Sequence, residues 1–86
     1  MFINKAPDGS NNICGKNICI FRKHTKMSQR ALADLLQLSG LDVDKNAIQR
    51  IEAGKRFVTD IELIAISDAL RKSVDQLLGI EKELPT

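Results

Sequence analysis

Apolar side chains recur at helical spacing from about residue 14 to residue 80, and no β-hairpin signal interrupts them. The pattern predicts an all-α chain. Leu32, Leu35 and Leu36 stand at i, i+3 and i+4, the apolar stripe of an amphipathic helix, and Ala47, Ile48 and Ile51 share one side of the next. An earlier helix from about Gly15 to His24 presents Ile18, Phe21 and Cys14 to the same core.

Capping residues place the boundaries. Ser28 is the N-cap of the second helix, and Ser39-Gly40 supplies its stop. Asp44 caps the third helix, and Gly54 is the glycine that ends it. Thr59-x-x-Glu62 is a capping box that opens a fourth helix running to about Leu70; Ser73-x-x-Gln76 opens a short fifth, which ends at Leu78 and Gly79. Residues 1–13, rich in Asn, Gly, Pro and Asp, read as an irregular or flexible arm, residues 14–80 as one domain, and residues 81–86 as a fraying tail. The expected architecture is a compact five-helix bundle.

Composition narrows the function. At 86 residues the chain is one small domain. Trp and Tyr are absent and Phe occurs three times, so the core must be aliphatic. No apolar run approaches the roughly 20 residues of a membrane span. No basic start precedes an apolar segment, so no export signal is expected, and Cys14 and Cys19 are expected as free thiols in the cytoplasm. A chain this short rarely encloses a deep pocket, which favours a binding module over an enzyme.

Catalytic and metal chemistry find little to work with. The one histidine, His24, has no partner of motif quality and sits between the basic Lys23 and Lys26. Cys14, Cys19 and His24 are spaced five apart, but on a helix a step of five rotates about 140°, so three such side chains diverge. Neither a phosphate-cradling glycine loop nor a Gly-x-Ser-x-Gly turn is present. No catalytic residue, metal, cofactor or small-molecule ligand is expected.

Charge is more informative once divided. Residues 16–30 carry five Lys or Arg and no acid, and residues 45–56 carry a net +3. The acids gather in residues 31–44, with three Asp and no base, and in residues 57–86, with a net −3. A fold that joined the two basic segments would create a positive face.

The third helix has the chemistry for such a face. Opposite Ala47, Ile48 and Ile51 it carries Lys45, Asn46, Gln49 and Ala53, with Arg50 at the edge. Amides pair bidentately with adenine in the major groove, and Lys and Arg donate to guanine or phosphate. Such a face is most often only solvated surface. Here Gln29 begins the preceding helix and Lys55-Arg56 follow at once, which strengthens a nucleic-acid reading.

MSQRALADLL, NAIQRIEAGKR and VTDIELIAISDALRKSVDQLLG, in that order from about Ile18 to Leu78, resemble the phage-repressor and Cro-like helix-turn-helix family, of the lambda-repressor-like or xenobiotic-response-element type. The elements that coincide are Arg22 seven residues ahead of Gln29, the Ser28-Gln29 opening, Leu32-Ala33, Ile48-x-x-Ile51-Glu52-x-Gly54-Lys55-Arg56, and a final capped Leu-Leu helix. The resemblance implies a second helix that crosses the DNA backbone and a third that enters the major groove. By position, Gln29 would contact backbone or brace the third helix. Lys45, Asn46, Gln49 and Arg50 would face base edges or adjoining phosphates, and Lys55 and Arg56 would hold phosphates. Arg22 and Glu52 would form a partly buried salt bridge between the first and third helices. One departure stands out. Leu32 to Glu52 spans 21 residues, longer than the family's usual spacing, which implies a lengthened turn around residues 37–41, packed through Leu38, Leu41 and Val43.

The function that follows is a transcriptional regulator of the repressor type that binds double-stranded DNA sequence-specifically, as a homodimer on a palindromic operator. Its dimer surface is expected near Val74 to Ile80. The rival is an antitoxin-like or adaptor module that holds a protein partner, for which Leu77, Leu78, Ile80 and Leu84 offer an apolar patch.

Overall fold

Side-chain caps start four of the five helices. Ser28, Asp44, Thr59 and Ser73 each lie in extended backbone and accept the N–H three residues on, at 3.0, 2.8, 3.2 and 3.0 Å. At Thr59 and Ser73 the box is complete, since Glu62 and Gln76 reach back to the cap N–H. The structure, a computed structural model, describes residues 4–80. Among them are α1 (Gly15–His24), α2 (Gln29–Leu38), α3 (Lys45–Glu52), α4 (Asp60–Leu70) and α5 (Val74–Leu78), and no strand. The expected tail over 81–86, with Leu84, lies outside the described residues. The first helix begins differently. Its N-cap, Cys14, makes no side-chain cap, and the Gly15 N–H donates instead to Asn12 Oδ1 at 2.8 Å.

Every helix sends an aliphatic side chain to one core. Ile18, Leu32, Leu36, Ile48, Ile51, Ile66 and Leu77 are all sealed from solvent. Burying a residue of this size stabilises the fold by about 1.5–3 kcal/mol, so α3, with two of the seven, is firmly seated. α2 and α3 pack against each other more extensively than any other pair, with α1 behind α3 and α4 against α2.

Two apolar expectations fail. Leu35 is 40% exposed, because the buried arc of α2 runs from Leu32 through Leu36 to Ala33 and leaves Leu35 on its rim. Leu38 is 85% exposed at the last position of α2. The lengthened connection, residues 39–44, packs through the buried Val43 and half-buried Leu41 instead, and Gln37 Nε2 donates to the Val43 carbonyl at 2.8 Å. At the C-terminal end Leu77 is fully buried, so α5 gives the first of its two leucines to the core rather than to a partner. The lead-in over 4–13 is irregular, but it is tied to α3 and its following turn by hydrogen bonds from Asn11 and Asn12 and so is not a free arm.

Candidate nucleic-acid interface

α3 rests on the core through Ile48 and Ile51 and turns Lys45, Asn46, Gln49 and Arg50 outward, with Ala53 just beyond. All four polar side chains are exposed, and none makes a hydrogen bond or ion pair with the other described residues. Eight residues of helix thus present two amides and two cations on one uncommitted face.

What holds that face in place lies behind it. Arg22 on α1 meets Glu52, the last residue of α3, through two contacts: Nε to Oε2 at 2.6 Å and Nη2 to Oε1 at 3.0 Å. The side chains are only 10% and 6% exposed. Gln29 Nε2 adds a third donor, at 3.0 Å from Glu52 Oε1, and Arg22 Nη1 donates to the Met27 carbonyl at 2.8 Å. Burial alone would push the Glu52 carboxyl up. The hydrogen bonds from Arg22 and Gln29 outweigh it and hold the group below its ordinary value. One carboxylate therefore joins the end of α1, the start of α2 and the end of α3. Gln29 reaches the clamp with its amide, the bracing half of the two roles open to it from sequence.

Beyond α3 the chain turns at Gly54, whose φ of +76° places it in the left-handed region. A Cβ there would also stand 2.8 Å from Ser10 Cβ. Lys55 follows, exposed, its side chain making no bond to the described residues. Arg56 differs. Its Nη1 and Nη2 meet Glu62 Oε1 and Oε2 at 3.0 and 2.8 Å, and Nη1 also donates to the Phe57 carbonyl. Arg56 draws the Glu62 carboxyl down to about 2. The sequence assigns Arg56, with Lys55, to phosphates. The structure pairs its guanidinium with both carboxylate oxygens of Glu62, of which Oε1 also accepts the Thr59 N–H of the capping box.

A helix-turn-helix family model matches residues 20–77, which includes α2, the connection and α3. The chain belongs to the helix-turn-helix family, in its phage-repressor and Cro-like form. The crystal structure of the P22 c2 repressor protein in complex with a synthetic operator matches with a TM-score of 0.69 and 30% sequence identity. The match covers 81% of this chain and 98% of that one. No curated protein matches the sequence.

In this helix-turn-helix protein α2 and α3 form the motif, with α1 and α4 as its supports. Two residues of the interface region were missed from sequence. Asn11 and Asn12 bind the turn after α3: Asn11 N–H to the Gly54 carbonyl at 2.7 Å, Asn11 Nδ2 to Lys55 O at 2.9 Å, and Asn12 Nδ2 to Arg56 O at 2.8 Å. Their only signal was an Asn pair in a stretch without periodicity. Cys14 is buried, Cys19 half-buried and His24 exposed, and no metal-ligating cluster of His, Cys, Asp and Glu occurs among the described residues.

Proposed function

We propose that the protein is a sequence-specific regulator of transcription, of the repressor type, that binds double-stranded DNA with α3 in the major groove. The observation that carries this reading is the uncommitted face of Lys45, Asn46, Gln49 and Arg50 on a helix clamped from behind by Arg22, Gln29 and Glu52. Bidentate recognition of a base edge tolerates little misplacement, and a helix fixed at its C-terminal end by a buried carboxylate holds its amides where they are needed. Asn46 and Gln49 offer the amide pairing that adenine accepts. Lys45 and Arg50 reach guanine or the flanking phosphates, and Lys55 a phosphate beyond the helix end. Arg56, neutralised by Glu62, orients the turn and attracts phosphate less than Lys55 does. The likeness to a repressor seen on its operator supports the same placement.

One short helix reads only a few base pairs, so a palindromic site bound by two copies is the fitting target. The protein works without catalysis or cofactor, in the cytoplasm where its operator lies. The test is titration of a labelled duplex that carries the inverted repeat nearest the gene, beside a scrambled duplex. A dissociation constant of about 10⁻⁸ M or tighter for the repeat, at least roughly 10³-fold tighter than for the scrambled duplex, is the expected outcome. Sedimentation should show two protomers per repeat. Equal affinity for both duplexes, or none tighter than about 100 μM at low salt, overturns the reading.

A further inference from the structure

Three consecutive carbonyls in the turn after α3 are taken up by two consecutive asparagines from the lead-in. Gly54 O accepts the Asn11 backbone N–H, Lys55 O accepts Asn11 Nδ2, and Arg56 O accepts Asn12 Nδ2. Asn12 is saturated: the same Nδ2 also donates to Ile51 O at 3.0 Å, and its Oδ1 accepts the Gly15 N–H at 2.8 Å. It therefore joins the start of α1, the end of α3 and the turn that carries Lys55. Close packing tightens the joint, since Gly54 has room for no Cβ against Ser10, whose Oγ lies within hydrogen-bond distance of both Asp8 Oδ1 at 2.6 Å and the Asn12 carbonyl at 2.8 Å and shares its one proton between them.

We propose that Asn11 and Asn12 are positioning residues for duplex binding: the lead-in is a strap that sets the turn over residues 54–56 and so fixes where Lys55 meets the DNA backbone. The proposal rests on the functional reading above. A turn whose carbonyls all face the strap has its backbone orientation set from that side, and the Lys55 side chain leaves from the middle of it. The strap also carries a cation of its own to this edge. Lys5 Nζ donates to Asn11 Oδ1 at 2.9 Å, so a single amide separates the Lys5 ammonium from the Lys55 carbonyl. Neither asparagine needs to touch DNA.

The test measures the affinity of the full chain for a random-sequence duplex of about two helical turns, across a range of salt, because a phosphate contact is sequence-independent. Four proteins are compared: wild type, Asn11→Ala, Lys55→Ala and the double variant. Asn11→Ala keeps its backbone bond to Gly54 and is expected to fold, with circular dichroism as the check; Asn12→Ala, which loses three bonds, is measured only as a stability variant. The expected result is a loss of roughly threefold or more for Asn11→Ala and a shallower salt dependence, as for Lys55→Ala. The double variant should bind no worse than about twofold below Lys55→Ala, because the strap acts through Lys55. Wild-type affinity and slope in Asn11→Ala, or losses that multiply in the double variant, overturn the inference alone. Failure of wild type to bind any duplex overturns the functional reading and takes the inference with it.

Discussion

Arg22 and Glu52, 30 residues apart in sequence, meet as a two-pronged ion pair that is nearly sealed from water. Removing one member of such a pair leaves a buried charge uncompensated, so Glu52→Gln or Arg22→Ala should cost roughly 2–4 kcal/mol of folding stability. That is a large share of the 5–15 kcal/mol or so that a small domain possesses. Denaturant unfolding of the free protein measures it. A double-mutant cycle with coupling below about 0.5 kcal/mol would show that the pair contributes little beyond its geometry.

How much of this arrangement was legible beforehand divides along the range of the interactions. The five helices were legible because their caps are local: Ser28, Asp44, Thr59 and Ser73 each bind an amide three residues away. The outward face of α3 followed from the same periodicity that buried Ile48 and Ile51. The strap was not legible. Asn12 finds its acceptors 39 and 44 residues down the chain, and nothing around it in sequence announces them. Leu35 and Leu38 misled for the opposite reason, since a local apolar stripe does not reveal how wide an arc the neighbouring helices cover. The pairing of Arg56 with Glu62 was not legible either, because Glu62 already has a local role as the partner in Thr59's capping box, and one carboxylate serves both.

The second prediction concerns acid. In the unfolded chain Glu62 titrates near its ordinary 4.5, and in the folded protein near 2, because Arg56 and the Thr59 N–H stabilise the carboxylate. Glu52 is shifted in the same direction. A folded-state value below the unfolded one means that the unfolded chain binds more protons between the two, so stability falls as pH falls through that window. Stability should be level from neutral pH to about 5.5 and decline from there toward pH 2. Glu62→Gln should flatten part of that decline while lowering stability at neutral pH. An unchanged acid limb in Glu62→Gln, followed by thermal melts from pH 7 to pH 2.5, would mean that other carboxylates govern it.

Along α3 and the turn after it, specificity and affinity should separate. Asn46→Ala and Gln49→Ala remove groups suited to base edges and should each cost on the order of 1–3 kcal/mol on the operator, with little change on random duplex. Lys55→Ala should weaken both alike and lower the log–log salt slope by about 0.9, the signature of one lost phosphate contact. Competition titrations at two or more salt concentrations distinguish the classes. Equal losses on operator and random DNA for Gln49→Ala would mean that the connection over 39–44 tilts α3 so that this amide meets backbone instead of bases.

The last prediction is a substitution that propensity alone gets wrong. Gly15 is the first residue of α1, and replacing a helical glycine by alanine ordinarily stabilises by up to about 1 kcal/mol. Here a Cβ would stand 2.1 Å from the Ile51 carbonyl oxygen and 2.8 Å from Asn12 Oδ1. The first contact is with backbone, which cannot swing aside as a side-chain tip can. To admit the methyl group, α1 must move away from the end of α3, where Asn12 and the Arg22–Glu52 pair tie them together. Overpacking of this kind costs typically 1–3 kcal/mol and here outweighs the helix-propensity gain. Gly15→Ala should therefore lower stability by about 1–2 kcal/mol, and the folded fraction should bind operator more weakly because α3 has shifted on its support. Urea unfolding alongside operator titration well below the melting temperature tests both halves. A stabilised Gly15→Ala with intact operator affinity would show that α1 and α3 have slack where their backbones meet.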